Sequence, residues 1–460
     1  MAITSITYLS SLTGINRIDS EYFKPSYLEL ENILNKVKTI PITRIAFTSD
    51  GNHMSISKYF TDTQDGIPYY RGQDINDFFL HNATPYRIKR EIYEKAWMHR
   101  SHFKIGDVLL SIVGTVGSLS YVSNKIKEST GSCKIAIIRP KNNVDGRYIA
   151  AFLKSKYGQF QILRNIRGAV QTGLILKDMV FIRIPEISHS IQNKISTLVQ
   201  KAIDENYKSK TLYTQATQLL EEALGLDKIE FKREKCYTAS FSEVINKNRI
   251  DGEHYQPKYK QIKKLILNYK YGWESFLQNV KYITPNFDPK KSPNTPFNYI
   301  ELSDVNPTLG TIGDIQPILG KDAPSRAKRL VSEGDVIASS VVGSVDKAAL
   351  ITSNENGFLA STGFFHFRSS YYSPEFLLLL VKSILFKEQL FQESTGGILS
   401  AVPDQNLKHI IIPCLSNELK NEITELVKRS HQYHKQSKQL LEQAKQEVET
   451  LIEQAAKKNE

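Results

Sequence analysis

Two stretches of the chain repeat mostly apolar or small residues at alternating intervals of three and four positions. In residues 188–226 the pattern falls on Ile195, Leu198, Ala202, Glu205, Ser209, Leu212, Ala216, Leu219 and Ala223. In residues 413–460 it falls on Ile423, Leu426, Ser430, Tyr433, Ser437, Leu440, Ala444, Glu447 and Leu451. This spacing predicts two long helices with a coiled-coil seam. Because several seam positions are small or polar, we expect the two helices to pair with each other; the alternative is that each packs on its own globular unit.

The sequence contains two copies of one pattern. NRIDSEYFKPSY begins at Asn16 and NRIDGEHYQPKY at Asn248, while GDVLLSIVGTVG begins at Gly106 and GDVIASSVVGSV at Gly334. QNKISTLV from Gln192 likewise matches KNEITELV from Lys420. The offsets lie between 228 and 232 positions. A nearly constant offset over this length predicts two copies of one architecture.

The remainder of each copy has the mixed pattern of an α+β fold. Short apolar runs bounded by glycine, proline or charge are typical of strands and occur at Asp107–Val113, Lys134–Arg139 and His409–Ile412. Helical spacing occurs at Ser26–Lys36, Tyr148–Leu163, Tyr259–Leu267 and Glu375–Phe391. The sequence therefore predicts globular domains at residues 1–187 and 227–412, each followed by one of the long helices, 188–226 and 413–460.

The excess of positive over negative charge lies in the globular segments. The formal net charge is +12, and residues 1–187 hold 25 Lys and Arg against 16 Asp and Glu. Residues 226–412 hold 23 against 20, whereas residues 188–225 and 413–460 are balanced. A basic excess favours a polyanion such as nucleic acid, because phosphate binding releases counterions. The alternative is a generally lysine-rich composition without a nucleic-acid partner.

The sequence favours a cytoplasmic protein. There is no run of about 18 apolar residues, as a membrane span requires, and the start lacks the pattern of a secretory signal. The three cysteines, Cys133, Cys236 and Cys414, lie far apart and form neither a metal-binding spacing nor a disulfide framework.

The sequence offers little that could support catalysis. Neither a phosphate-binding glycine loop nor the Asn/Asp-Pro-Pro-Tyr/Phe run of an amino-methyltransferase is present. Asp404 and Lys408 have the wrong spacing for a nuclease site, and we expect Asp404 to cap a turn. His431 and His434 have no third ligand, and solvated helix histidines are the better interpretation. We therefore predict a non-catalytic chain with no metal and no cofactor of its own.

Basic, polar and aromatic residues in the globular segments are candidates for contacts to DNA. Arginine and glutamine can make bidentate contacts to base edges, whereas lysine mostly meets phosphate. The alternative for each is a solvated surface side chain, and Tyr69 and Tyr70 fit a core position equally well. The candidates are Tyr70, Arg71, Gln73, Arg87, Lys89, Arg90, Arg100, Ser111, Thr115, Arg164, Arg167, Lys290, Lys291, Arg326, Lys328, Arg329, Ser339 and Lys347.

The order of these motifs resembles the specificity (S) subunit of Type I restriction–modification enzymes over nearly the whole chain. The resemblance rests on the duplicated Gly-Asp-Val segments and on IRIPEISHSIQNKI and IIIPCLSNELKNEI, where a strand ending in Ile-Pro precedes a long helix. It also rests on the helix ending QLLEEALGLD, after which the second copy starts.

The resemblance implies a fold and a function. Two repeated α/β target recognition domains would each read one half of a bipartite site in double-stranded DNA. The two long helices would separate them as an antiparallel coiled coil, set the gap between the half-sites and dock two methyltransferase (M) subunits. The M subunits would carry S-adenosylmethionine and methylate adenine, and restriction (R) subunits would join to cleave DNA.

Three other functions compete with this interpretation. One is a stand-alone DNA-modifying enzyme, which the missing motifs disfavour. Another is a coiled-coil scaffold whose globular segments bind protein, which the location of the charge disfavours. The third is an S-like DNA reader of another phage-defence system, which the same sequence features would fit.

Overall fold

The chain folds into two compact units. In a computed structural model, the first unit comprises Met1–Tyr207 with His434–Glu460 and the second Lys208–Tyr433. The structure describes Ile6, Ile229 and residues 17–63, 65–80, 86–141, 144–168, 172–226, 231–396 and 400–459. Asn16, the first residue of the repeated Asn-Arg-Ile-Asp motif, lies outside these residues.

The first unit is an α+β fold. Its helices are α1 (Pro25–Asn35), α2 (Ile42–Ile45), α3 (Arg90–Tyr93), α4 (Gly146–Lys154), α5 (Lys156–Arg164) and the first part of α6 (His189–Ala223). Its strands are β1 (Thr39–Pro41), β2 (Ala46–Asp50), β3 (Ile67–Tyr70), β4 (Arg87–Ile88), β5 (Val108–Ser111), β6 (Leu119–Tyr121), β7 (Thr130–Gly131), β8 (Ile135–Pro140) and β9 (Arg183–Pro185). The strands form sheets of order β2-β8-β5-β6, β4-β3-β7 and β1-β9, with β3 and β7 parallel.

The second unit repeats the main sheet and the parallel strand pair of the first and has additional strands. Its helices are the end of α6, α7 (Phe241–Lys247), α8 (Pro257–Leu267), α9 (Phe276–Asn279), α10 (Pro374–Lys382), α11 (Ile384–Glu393) and the first part of α12 (Asn417–Lys458). Its strands are β10 (Trp273–Ser275), β11 (Lys281–Tyr282), β12 (Pro296–Ile300), β13 (Val305–Asn306), β14 (Thr311–Ile312), β15 (Pro317–Leu319), β16 (Ala327–Leu330), β17 (Val336–Ser339), β18 (Ala348–Leu350), β19 (Leu359–Ser361), β20 (Phe364–Arg368) and β21 (Ile411–Pro413). The sheet β11-β20-β17-β18 has the strand order of β2-β8-β5-β6, and β12 pairs in parallel with β19 as β3 does with β7.

The repeated Gly-Asp-Val motif builds the entry to the central strand of each unit. Gly106 and Gly334 have φ values of 94° and 84°, a left-handed conformation that glycine adopts without steric cost. Asp107 is buried and pairs with Arg139 at 2.7 Å, and Asp335 is buried and accepts a hydrogen bond from Arg368 Nη2 at 2.9 Å. The motif is therefore part of the framework in both copies.

Two of the predicted helices are each broken into a pair. Tyr148–Leu163 was expected to be one helix, but α4 ends before Ser155, whose backbone is extended. The Ser155 hydroxyl caps α5 by accepting a hydrogen bond from Gly158 N at 3.3 Å. Ser383 separates α10 from α11 in the same way and accepts from Phe386 N at 3.3 Å. A serine at a helix N-cap satisfies an amide that has no partner within the helix, and this favours the break.

The two long helices pair antiparallel, as expected. In the first unit, Ser437 Oγ of α12 donates to the carbonyl oxygen of Ala202 of α6 at 2.7 Å. In the second unit, Ser430 Oγ donates to the carbonyl oxygen of Ser209 at 2.7 Å. The contact residue moves seven positions forward on α6, from Ala202 to Ser209, and seven positions back on α12, from Ser437 to Ser430. The helices therefore run in opposite directions. A side chain can reach the opposite backbone only where the helices approach closely, and the small seam residues allow this approach.

The seam lies one position away from half of the predicted residues. Ile195, Ala202, Ser209 and Ala216 are buried as expected, but the alternate buried positions on α6 are Val199, Asn206, Tyr213 and Leu220 instead of Leu198, Glu205, Leu212 and Leu219. On α12, Val427, His434, Val448 and Ile452 are buried instead of Leu426, Tyr433, Glu447 and Leu451. Leu219 and Leu220 are both apolar, so the sequence fits either alternation at this position, whereas at Glu447 and Val448 the apolar residue is the buried one.

The helices also pack on the globular part of their own unit. In the first unit, Ile195 and Ile452 belong to the same buried cluster as Phe152 of α4. In the second unit, Tyr213 and Ile423 share a cluster with Ile262 of α8. Pairing with each other and packing on the unit thus occur together. Within the described residues, no helix has the length and apolarity needed to cross a membrane.

Candidate nucleic-acid interface

One turn in the first unit brings several of the predicted contact residues together. Strand β3 ends at Tyr70, and Arg71 follows, with Nε and Nη2 donating to Asp74 at 3.0 and 2.9 Å. The Thr115 hydroxyl donates to the carbonyl oxygen of Gly72 at 3.2 Å and lies 3.0 Å from the hydroxyl of Ser111. Gln73 is exposed on the same turn. Arg71, Gln73 and Thr115 therefore lie close together. We call residues 71–74 the Arg71 turn, and Thr115 is hydrogen-bonded to it.

The second unit has an equivalent turn with different side chains. Strand β12 is followed by Glu301, whose backbone amide donates to Asp304 at 2.7 Å, as the Arg71 amide does to Asp74 at 2.8 Å. The carbonyl oxygen of Leu302, the counterpart of Gly72, accepts from Lys347 Nζ at 2.7 Å. Lys347 therefore performs the structural task of Thr115, and its ammonium group is engaged within the unit.

Most predicted arginines of the first unit are paired with carboxylates or carbonyls. Arg90 lies 2.9 Å from Glu128, Arg167 lies 2.7 Å from Asp178, and Arg100 pairs with Asp50. Arg87 donates to the carbonyl oxygen of Gly66 at 2.7 Å. Lys89 is exposed beside this group. Neighbouring carboxylates therefore neutralise several of the arginines that contribute to the positive net charge of the first unit.

Four of the predicted basic residues of the second unit form a more open cluster. Lys290, Lys291, Arg326 and Lys328 are exposed, and their side chains make no ion pair among the residues that the structure describes. The amides of Asn286 and Phe287 donate to the carbonyl oxygen of Lys328 at 3.0 and 3.1 Å, and the amide of Lys321 donates to Pro293 at 3.0 Å. The segments 286–293 and 320–328 therefore lie side by side, and we call this surface the lysine cluster.

Five of the predicted contact residues are buried. Tyr70 and Arg329 are 2% exposed, Arg164 is 5% exposed, and Ser111 and Ser339 are fully buried. Arg164 lies 2.7 Å from Glu31 and 3.9 Å from the ring centre of Tyr22. Arg329 donates to the carbonyl oxygen of Ile283 at 2.6 Å and to the Tyr282 hydroxyl at 2.8 Å. These side chains hold the fold together, and we leave them out of the proposed contact surface.

Three residues at these surfaces were not predicted from the sequence. Glu301 occupies the position of Arg71 in the second unit, and Lys321 belongs to the lysine cluster. Lys134 lies beside the Arg71 turn, since a Cβ built on Gly72 would lie 3.2 Å from the Cβ of Lys134. An alignment of the two copies around β3 and β12 would have found Glu301. Lys321 and Lys134 carry no signal that distinguishes them from other lysines.

The two histidines of α12 are not solvated, contrary to expectation. His434 is 8% exposed, and His431 Nε2 lies 2.8 Å from the carbonyl oxygen of Leu309 with its ring stacked on Tyr213 at 6.3 Å. Asp404 was expected to cap a turn, but it is the first residue of a short 3-10 helix (Asp404–His409) and its side chain makes no capping hydrogen bond. Its carboxylate accepts a hydrogen bond from the Tyr282 hydroxyl. Across the part of the chain that the structure describes, no group of three or more His, Cys, Asp or Glu is placed to hold a metal ion.

Comparison with known proteins gives matches among solved structures alone. No protein-family model and no curated protein matches the sequence. The S subunit of a Type I restriction–modification system from M. genitalium matches with a TM-score of 0.41 and 12% identity, over 92% of this chain and 96% of that chain. The HsdS subunit from Thermoanaerobacter tengcongensis matches with a TM-score of 0.28 and 13% identity, over 92% and 96%.

A structure from a study of assembly and conformational transition in the Type I restriction–modification system also matches, with a TM-score of 0.29 and 11% identity over 92% of this chain and 97% of that chain. The chain is similar to Type I specificity subunits.

Proposed function

We propose that this chain is the DNA-specificity subunit of a Type I restriction–modification complex in the cytoplasm. Residues 1–187 and 227–412 act as target recognition domains, each of which reads one half of a bipartite site in double-stranded DNA. The helices in 188–226 and 413–460 set the gap between the half-sites and dock two methyltransferase subunits, and restriction subunits join the complex. S-adenosylmethionine belongs to the methyltransferase subunits and not to this chain.

The observation that carries the proposal is the duplicated framework joined to a pair of long helices. Both units have a four-stranded main sheet of the same order, the same buried Gly-Asp-Val aspartate and the same Ile-Pro strand, β9 paired with β1 and β21 paired with β10. A protein built twice is suited to a target with two parts. The helices supply the constant element between the two readers.

The surface chemistry of the units supports DNA as the target. The lysine cluster of the second unit presents Lys290, Lys291, Arg326 and Lys328 to solvent, and unpaired cations of this kind bind phosphate and release counterions. The Arg71 turn and its counterpart at Glu301 differ in charge on the same backbone frame. Arginine pairs with guanine O6 and N7, whereas glutamate accepts from cytosine N4, so the two turns would read different bases.

The proposal is tested with the purified chain and the methyltransferase subunit of the same system. The chain alone should neither methylate nor cleave DNA, and the complex should methylate only DNA that contains both half-sites. Gln73→Ala should relax sequence preference at one half-site and leave the other unchanged. Methylation by the chain alone, tracking this protein through repurification, would establish the stand-alone enzyme instead.

A second experiment separates reading from general DNA affinity. Arg71→Ala should also relax one half-site, whereas Lys89→Ala with Arg90→Ala should weaken binding to all sequences and flatten its salt dependence, as loss of phosphate contacts does. Lys347→Ala is the matched control, because the Lys347 ammonium group is bonded to Leu302 within the fold. Unchanged specificity in the Arg71 and Gln73 variants would exclude the Arg71 turn as the reading surface.

A further inference from the structure

The Arg and Asp of the repeated Asn-Arg-Ile-Asp motif make the same hydrogen bonds in both units. Arg17 donates to both carboxylate oxygens of Asp19 at 2.7 and 2.9 Å, and to the carbonyl oxygen of Arg164 at 3.1 Å. In the second unit, Arg249 donates to Asp251 at 2.8 and 3.0 Å, and to the carbonyl oxygen of Gln392 at 3.3 Å. The arginine thus ties the motif to the end of α5 in one unit and of α11 in the other.

The isoleucine between these two pinned residues is exposed in both copies. Ile18 is 85% exposed and Ile250 is 92% exposed. Single exposed apolar side chains are common on protein surfaces and require no explanation. Here, however, the two isoleucines occupy equivalent positions of a duplicated motif. Each lies between an arginine and an aspartate that bond to each other, so the exposure is repeated with the motif.

At another repeated segment, an exposed isoleucine of one copy is not shared by the other copy. Ile105, in the turn before Asp107, is 67% exposed, but the equivalent position of the second copy is Glu333. At that turn the two copies differ, as an unconstrained surface position can. At the motif they agree on isoleucine.

The charges around the two isoleucines favour a protein partner over DNA. The flanking Arg17 and Arg249 are neutralised by their own aspartates. Glu21 and Glu253 follow each isoleucine three positions later and are paired with Lys24 and Arg233, so the charges of these pairs cancel. A phosphate backbone would gain little from such a surface, whereas an apolar pocket would gain the burial of an isoleucine side chain.

The second unit extends this apolar surface. Helix α7 directly precedes the motif and buries none of its residues. Phe241 and Ile245 lie on one face of this helix and are 78% and 60% exposed. An amphipathic helix with an uncovered apolar face beside Ile250 is suited to contact with another protein.

We propose that Ile18 and Ile250 are anchors for two copies of the same protein, each of which receives one isoleucine in an apolar pocket. The number of bound copies follows from the duplication, because two identical anchors fit the same pocket on two copies of one partner protein. This inference rests on the proposed function, under which the protein present in two copies is the methyltransferase subunit.

The test is to co-express the full chain with the methyltransferase subunit of the same system and count bound copies by native mass spectrometry. Ile18→Lys and Ile250→Lys should each retain one copy, and the double variant none. Affinity at the altered site should fall about 10- to 100-fold, as expected for the loss of one buried isoleucine. Ile105→Lys is the matched control and should retain two copies. All variants should melt as the wild type does, because each altered side chain is exposed.

The other outcomes overturn the inference. If the double variant still binds two copies, the anchors are elsewhere and the proposed function stands. If the variants keep both copies but bind a mixed-sequence DNA duplex more weakly, the isoleucines face DNA. If the wild-type chain binds no methyltransferase subunit, the proposed function fails together with the inference.

Discussion

Removing one facing heptad from each long helix should shorten the gap between the two DNA half-sites. The contacts of Ser437 with Ala202 and of Ser430 with Ser209 fix which residues face each other. Deleting 203–209 from α6 together with 430–436 from α12 removes segments that oppose one another. Ala202 still faces Ser437 after the deletion, and the seam continues in register because seven residues complete one heptad.

The size of the change follows from helix and DNA geometry. Seven residues at about 1.5 Å each shorten the pair by about 10 Å. If the helices run along the DNA, this distance equals about three base pairs at about 3.4 Å each. Three base pairs also rotate one half-site by about 100° around the DNA axis, since a turn contains about 10.5. The helix surface rotates by only about 20° per heptad. The preferred gap should therefore fall by about three base pairs, and binding should weaken because DNA or helices must absorb the remaining twist.

Selection from DNA with random half-sites and random gaps measures both consequences. The half-site sequences should remain those of the wild type while the gap shortens. Deleting 203–209 alone is the matched control, because it leaves 430–436 without a partner segment and should lower the melting temperature. An unchanged gap with intact binding would refute the reasoning, since the readers would then be positioned by something other than the helices.

Three further predictions test the seam, the half-buried Lys382 and the lysine cluster. Ser437→Leu should destabilise the chain by about 1–3 kcal/mol through overpacking of the close helix contact, whereas Ser437→Ala should cost about 1 kcal/mol; urea unfolding distinguishes them. Burial lowers the pKa of Lys382 to about 7. The unfolded chain, where the lysine pKa is about 10.4, therefore binds more protons between these values. Wild-type stability should rise with pH over that range, and Lys382→Met should flatten the rise in urea midpoints. Lys290→Ala and Lys328→Ala should each reduce the salt slope of DNA binding by about one, as fluorescence anisotropy at several salt concentrations would show.

The sequence was sufficient to predict the helix pair but not its seam. Small and polar residues at every seventh position, such as Ser209 and Ser437, identified the face that is buried. The alternate positions depend on the rotation of each helix about its axis, and that rotation is decided by packing between Val199 or Leu198 and the rest of its unit. Because both residues are apolar, the sequence does not choose between them.

The contact surface was less predictable, because residue type does not reveal burial. Arg329 and Lys328 are neighbours on β16, yet one is 2% exposed and the other belongs to the open lysine cluster. The alternation of a strand predicts that they face opposite ways but not which one faces inward. Arg164 was equally ambiguous, since its pairing with Glu31 joins residues far apart in the chain.

Where the two copies agree and where they differ has a physical meaning. The buried aspartates Asp107 and Asp335 are identical, and so are the exposed isoleucines Ile18 and Ile250. At the turn after the third strand of the first unit, Arg71 is replaced by Glu301 on the same backbone frame. A chain that met two identical half-sites would have no reason to present opposite charges at equivalent turns. A chain that met two different partner proteins would have no reason to expose the same side chain twice. Identical exposed isoleucines together with divergent turns therefore fit the proposed function, under which the chain joins two copies of one subunit to two unlike pieces of DNA.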